Sequence, residues 1–319
     1  MPKTTYDWRV RGQRLTQIGV RKPQPKDDVI LLPSYKERVL MEMLKLGLLA
    51  GEAMADAQTI KERTVATTIT LSAAVLARAQ ELVACGKVVI PFPTQALVPP
   101  VIEGWRRFVD EPEKYKIGWT ARLKGEIRRR PSSGWTRRDG TQRDDGVYDD
   151  KKQIFHFHPL LIPWLAKHAV EYTKYTHWLH LHVPRLYDAC RATARTYAAA
   201  LDAVLPGYSF YDRLCEEDSE CLHRLRLLAY DEETAAGKGH FDISFLTIHI
   251  AESHPGLRMG DERTLFVARP GEALLFFGEK AERLTSGKVK ASWHEVTDER
   301  PAGDTSSRCS AIYFGHIVL

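Results

Sequence analysis

Beyond Cys221 the chain breaks into six short runs rich in β-branched and aromatic residues: Leu225–Tyr230, Phe241–Ile250, Thr264–Ala268, Ala273–Phe277, Val289–Val296 and Arg308–Val318. Turn formers part them at Pro255-Gly256, Pro270-Gly271, Ser286-Gly287 and Pro301-Ala302-Gly303. Short strands at such regular spacing predict a β-sandwich or barrel. The preceding part is helical in texture. Ser34-Tyr35-Lys36-Glu37 is a capping box, and Val39, Leu40, Met43, Leu44 and Leu48 follow at helical spacing, predicting a helix toward Asp56. A helix is expected from Ser72 to Cys85, stopped by Gly86, followed by a short buried strand at Val88–Ile90. Further helices are expected over Trp105–Tyr115 and, twice, between Pro159 and Leu205, the latter opening near Pro184. Helices first and strands later define an α+β protein with a barrel-like core. Residues 1–85 are expected to form an N-terminal arm (1–33) and helices, and residues 86–319 a second domain with its β-core at about 222–319.

The bulk composition excludes some classes. Of 319 residues, 44% are hydrophobic and 27% charged, as in a soluble globular protein. There is no run of eighteen apolar residues, so no membrane span is expected. The N-terminus lacks the apolar stretch of a secretory signal. Five scattered cysteines without a C-x-x-C pair read as free thiols in a reducing cytoplasm. A net charge of +5 does not by itself predict a nucleic-acid partner, and none is expected. The charge is uneven: eight basic residues lie between Arg122 and Arg143, around Pro131-Ser132-Ser133-Gly134. This stretch reads as a solvated loop, the alternative being a patch for phosphates or acidic substrates.

Three residues carry the chemistry. In an extended strand, residues i and i+2 share a face, so His240 and Asp242 point the same way with Phe241 turned aside. His294 must arrive from another strand. Two imidazoles and one carboxylate suit Fe(II) and leave coordination positions open. Singly, each residue is mundane, since an H-x-D tripeptide arises often by chance. Arg308 and Ser310 strengthen the pattern: they share a strand face with the apolar Ile312 and Phe314. A buried arginine needs an anion, and guanidinium plus hydroxyl suit a carboxylate. The structural alternative is an internal salt bridge, to Glu272 or Glu279.

Residues 225–319 resemble the C-terminal domain of the isopenicillin N synthase-like superfamily of iron- and 2-oxoglutarate-dependent dioxygenases. The resemblance rests on His240-Phe241-Asp242-Ile243-Ser244-Phe245-Leu246-Thr247-Ile248, Gly256-Leu257, Arg269–Gly278, Leu284–Lys288, Ala291–Val296 and Arg308-Cys309-Ser310. It implies a double-stranded β-helix (jelly roll) flanked by helices. It also implies Fe(II) on His240, Asp242 and His294, and 2-oxoglutarate held by Arg308 and Ser310, with Tyr230 matching a tyrosine that reaches the cosubstrate. With O₂, this implies succinate, CO₂ and hydroxylation, desaturation or cyclisation of a small-molecule metabolite. The chain departs from the pattern at Leu228, where many members carry asparagine, and at Asp231-Glu232, where Pro-Pro is usual. The gap between His294 and Arg308 is a few residues longer than usual, with Glu299–Thr305 as an inserted turn.

Two alternatives stand beside this reading: an iron oxidase in which Arg308 and Ser310 hold the substrate's own carboxylate, and a nucleic-acid-binding or -modifying protein using residues 122–143. Among the remaining histidines, His156 and His158 are candidates for the substrate mouth. His177, His180 and His182 are expected at a helix end, and His249 in the core, facing away from Asp242. Cys309 is expected to be a packed thiol.

Overall fold

The computed structural model describes residues 29–31, 67–69, 71–92, 95–121, 133–139, 151–162, 175, 178–230, 237–267, 269–304 and 306–319. It divides into two units, Met1–Thr70 and Leu71–Leu319. In the first, β1 (Val29–Leu31) and β2 (Thr67–Ile69) pair antiparallel. The capping box at Ser34 and the helix expected after it lie outside the described residues.

The second unit is built on β-strand alternation. Its strands are β3 (Lys87–Pro91), β4 (Thr120–Ala121), β5 (Ser133–Asp139), β6 (Lys151–Phe157), β7 (Arg224–Tyr230), β8 (Gly237–His240), β9 (Leu246–Glu252), β10 (Leu257–Met259), β11 (Thr264–Leu265), β12 (Glu272–Phe277), β13 (His294–Val296) and β14 (Arg308–Gly315). Eight form one sheet in the order β3-β12-β9-β14-β7-β6-β5-β4, and four a second in the order β11-β10-β13-β8. Side chains from both sheets line a common cavity, as expected of a jelly roll flanked by helices.

Along β7 and β14 the alternation is clean. Arg226, Leu228 and Tyr230, like Arg308, Ser310, Ile312 and Phe314, turn to the cavity. Leu225, Leu227, Ala229, Cys309, Ala311 and Tyr313 are buried on the opposite face. That outer face is covered by helices. In Val98–Val109 the residues Val101, Trp105, Phe108 and Val109 are buried at helical spacing. Trp105 stacks on Phe108 at 5.9 Å and donates its indole N–H to Leu228 O at 2.9 Å, so its one polar atom is satisfied in the core. Losing such a ring would cost about 3–5 kcal/mol. The long helix Val183–Val204 brings Tyr187 against Tyr313, 5.6 Å between ring centres. The helix Ala73–Cys85 packs on it. Ser72 Oγ caps this helix by accepting from Val75 N–H at 3.2 Å, and Gly86, at φ 73°, ends it in the left-handed conformation that disfavours a side chain.

Four expectations are corrected. The run Phe241–Ile250 is not one strand: pairing stops at His240 and resumes at Leu246, with a loop between. The Trp105–Tyr115 helix is instead Val98–Val109 plus a separate turn, Glu113–Lys116, broken ahead of Pro112, which cannot donate to the helix ladder. Within the basic stretch, Ser133–Asp139 is a strand paired along β6, with Ser133 and Trp135 buried at its start and Arg137 and Arg138 exposed toward its end. Finally, the helix over Ala73–Cys85 falls in the same unit as the barrel.

Candidate active site

The two sheets bring the three metal-type residues together at one end of the cavity. Each of His240, Asp242 and His294 offers a ligand atom, and these atoms lie within 4.8 Å of one another. His240 Nε2 is 3.6 Å from Asp242 Oδ1, and His294 Nε2 is 3.8 Å from Oδ2. His240 ends β8 and His294 opens β13, directly opposite in the antiparallel register. Asp242 sits in the loop between β8 and β9, so it reaches the histidines by a turn rather than by alternation. Phe241 and Ile243 on that loop are exposed, in keeping with a Phe241 turned aside.

Hydrogen bonds fix each group. Each imidazole has its Nδ1 at a backbone carbonyl: His240 at Lys238 O (2.9 Å) and His294 at Ser292 O (3.2 Å). A carbonyl only accepts, so each neutral ring carries its proton on Nδ1 and presents a lone pair on Nε2 to the centre. Thr247 Oγ1 donates to Asp242 Oδ2 at 2.8 Å and is itself within 2.8 Å of Ser244 Oγ. Burial alone would raise the Asp242 carboxyl, but the adjacent His240 and His294 and the Thr247 hydroxyl outweigh it, holding its pKa below the usual value. Burial lowers His294, against the pull of Asp242. Asp242 beside His240 raises that imidazole. An ionised carboxylate and two oriented imidazoles are a donor set that fits a divalent iron, and among the described residues no other such group occurs.

The cavity measures about 410 Å³. Arg308, Ser310 and Tyr230 all line it, as expected, and all are buried. The Arg308 guanidinium lies 5.5 Å from the Tyr230 ring centre. An internal salt bridge, the structural alternative weighed from the sequence, is present, but its carboxylate is neither Glu272 nor Glu279. Arg308 pairs through Nη2 with Glu252 Oε2, the two side chains 1% and 3% exposed. The cause is a bulge. The register of β14 on β9 shifts between Ala311 (opposite Ala251) and Ile312 (opposite His249), so Ile250 is an extra residue. The bulge puts His249 and Glu252, three apart, on the same side. His249, opposite the cavity-facing Ile312, lines the cavity, against expectation, with Nε2 3.6 Å from the same Glu252 oxygen. Burial opposes the Glu252 charge, but His249 and Arg308 keep its carboxyl below the usual range.

Arg308 still has a donor to spare. Nη1 is buried with no hydrogen-bond partner, as are Glu252 Oε1 and His249 Nε2. An orphaned guanidinium N–H beside a serine on a cavity wall fits the far carboxylate of an oxoacid.

Other candidates fall elsewhere. His156 and His158 are buried outside the cavity lining; His156 Nε2 accepts from Arg226 Nε at 2.8 Å. His180 and His182 lie in a π-helical turn before Val183–Val204, and His177 is outside the described residues. Cys309 is buried, its thiol pushed up to about 12 by burial. Thr247, Glu252 and Arg226 belong to the site without having been expected there. Alternation back from Tyr230 is enough to find Arg226.

A sequence profile of the 2OG-Fe(II) oxygenase superfamily matches residues 219–317. No curated protein matches the chain. Among solved structures, a Caulobacter crescentus protein assigned to the 2OG-Fe(II) oxygenase family is similar at a TM-score of 0.60 and 20% identity, over 76% of this chain and 83% of that one. A full-length Neurospora crassa protein, crystallised with alpha-KG and thymine, is similar at 0.55 and 18%, over 76% and 80%. JOX2 in complex with 2OG, Fe and JA is similar at 0.53 and 16%, over 77% and 72%. At such identities the likeness speaks for the shared fold, and the profile for the domain it matches. Residues 219–317, the stretch that holds Tyr230, His240, Asp242, His294, Arg308 and Ser310, are similar to the 2OG-Fe(II) oxygenase superfamily.

Proposed function

We propose that the protein is an Fe(II)- and 2-oxoglutarate-dependent dioxygenase of a small-molecule metabolite, hydroxylating, desaturating or cyclising it with release of succinate and CO₂. His240, Asp242 and His294 are the metal ligands in this reading, and Arg308, Ser310 and Tyr230 the cosubstrate residues. The observation that carries it is the convergence of the three ligand atoms within 4.8 Å at the wall of a cavity that also holds Arg308. Bound Fe(II) and 2-oxoglutarate supply oxygen activation, which no side chain provides.

The chain's own groups do the rest. Lys238 O and Ser292 O lock the tautomers of the two histidines, and Thr247 aims Asp242. Arg308 Nη1, with Ser310 Oγ, takes the distal carboxylate; Glu252 keeps the guanidinium oriented from behind. Leu257, Phe276 and Val296 line the cavity with apolar surface that excludes water. The Neurospora crassa protein and JOX2 were crystallised with small organic molecules, which supports a small-molecule substrate. The five cysteines are unpaired, in keeping with a cytoplasmic setting.

Anaerobic addition of Fe(II) and then 2-oxoglutarate tests the reading. A visible charge-transfer band is expected, lost in Asp242→Ala, with succinate formed once O₂ and a substrate are supplied. Absence of the band sinks the proposal, and turnover without succinate favours the oxidase that does not use 2-oxoglutarate.

A further inference from the structure

The cavity wall is strongly cationic. Arg138, Lys152, Arg226, Lys238 and Arg308 line it, against one lining carboxylate, Asp242, among the described residues. Arg308 has Glu252 behind it. Fe(II) and a dianionic oxoacid on Arg308 account for one of these cations, and Arg138, Lys152, Arg226 and Lys238 line the wall beyond it. A cleft lined by one sign of charge concentrates ligands of the other.

Arg226 is the cation best placed for a substrate. It is half-buried, whereas Arg138 and Lys238 are exposed. Its register partners are His156 on β6 and Ile312 on β14. Its Nε donates to His156, and its guanidinium carbon sits 4.4 Å from the centre of the Phe314 ring, so the fork is held in one orientation. Phe314 in turn lies opposite Thr247, the residue that holds Asp242. Arg226 is thus two strand spacings, roughly 10 Å, from the strand that carries Thr247. Arg308 is four residues along β14 from Ile312, about 13 Å away at the strand rise. One wall therefore presents one arginine toward each end, with Leu228 and Ile312 between them.

We propose that the substrate is a small apolar monocarboxylic acid whose carboxylate pairs with Arg226, its body lying over Ile312, Phe276 and Val296; this rests on the function proposed above. A planar carboxylate matches the fork of a fixed guanidinium. A single charge fits better than a doubly charged phosphate, because phenyl and aliphatic groups around the site make desolvating a dianion costly.

The test uses the full chain, loaded anaerobically with Fe(II) and 2-oxoglutarate and titrated calorimetrically with 3-phenylpropanoate and octanoate, each against its uncharged amide. The acids are expected to bind at least tenfold tighter than their amides. Arg226→Met should remove that preference while leaving 2-oxoglutarate affinity within twofold, and Arg226→Lys should retain part of it. Equal affinity for acid and amide, or binding of neither, overturns the proposal. So does a loss of 2-oxoglutarate affinity in Arg226→Met as large as the loss for the acids, which would make Arg226 a cosubstrate residue. Melting curves of both variants report whether they fold, and the lysine variant carries the test if the methionine variant does not. Should metal and oxoacid fail to load, the proposed function falls, while the acid-over-amide preference is still read on the metal-free protein.

Discussion

Replacing Glu252 by glutamine should make the protein less stable and the oxoacid bind more tightly. Glu252 and Arg308 are a buried ion pair, 3% and 1% exposed. Removing one partner of such a pair costs about 3–5 kcal/mol, mostly because a charge is left buried without compensation. Glutamine keeps the shape and can still accept from Nη2, which puts the loss near the lower end, about 3 kcal/mol. For a unit the size of Leu71–Leu319 that is a fall in Tm of roughly 6–12 °C without cosubstrate. The oxoacid changes the comparison. On the proposed function its carboxylate would meet, in the wild type, an arginine already balanced by Glu252, whereas in Glu252→Gln it would be the counter-ion Arg308 lacks. Its affinity should then rise about tenfold, equivalent to about 1.4 kcal/mol, and saturating 2-oxoglutarate with Fe(II) under anaerobic conditions should restore more Tm in the variant than in the wild type. Thermal melts with and without the oxoacid, plus a charge-transfer titration, measure both quantities. If the Tm deficit is unchanged by the oxoacid, or its affinity falls, then Glu252 serves to aim Arg308 and the charge-competition argument is wrong.

Three further outcomes are expected. Thr247→Val removes the hydroxyl that donates to Asp242 Oδ2, so Co(II) affinity, followed by its visible spectrum, should drop about 10–100-fold; an unchanged affinity would show that Asp242 needs no such support. Gly278→Ala would drive a methyl into the Ser244 carbonyl and to 2.6 Å from that of Asp242, the same oxygen that accepts from Glu279 N–H at 2.7 Å. The loop carrying Asp242 must shift, and both Co(II) binding and stability should fall, the latter by about 1–3 kcal/mol in melts. Stability should also decline from pH 6.5 to 5. His158 and His223 are driven down to about 3, chiefly by burial, so both stay neutral when folded while the unfolded chain takes up protons below 6.5. Each contribution is fully present above pH 6.5 and shrinks as pH falls toward 3, by about 2 kcal/mol per histidine at pH 5. His223 meets His316 O at 3.1 Å and Tyr313 OH at 2.9 Å, bonds that a glutamine can imitate, so His223→Gln should roughly halve the slope of Tm against pH; a flat wild-type profile over this range would refute the assignment.

What is legible in the sequence, and what is not, follows one physical division. Strand alternation is local, and where the strands are regular it places residues correctly: Arg308, Ser310, Ile312 and Phe314 do share the cavity face of β14. The helix from Ala73 to Cys85 is legible for a similar reason, since Ser72 and Gly86 mark its two ends by backbone chemistry alone. Alternation fails wherever the chain leaves the ladder. Counting from Asp242 puts His249 on the wrong side, because the count runs through a loop that is not a strand. Glu252 is hidden as the counter-ion because its orientation depends on the extra residue at Ile250, which appears only once β9 is paired with β14. The strand Ser133–Asp139 is masked by a charge run in which Trp135 is the one large buried side chain. Arg226 is the instructive exception: it lies on a regular strand, four residues before Tyr230, and alternation alone places it on the cavity face. The three proposed metal ligands sit where a strand ends or a loop turns, while Arg226, proposed to face the substrate, sits on regular strand. Alternation back from Tyr230, which needs only a regular strand, is thus enough to bring the charge at Arg226 to the cavity face.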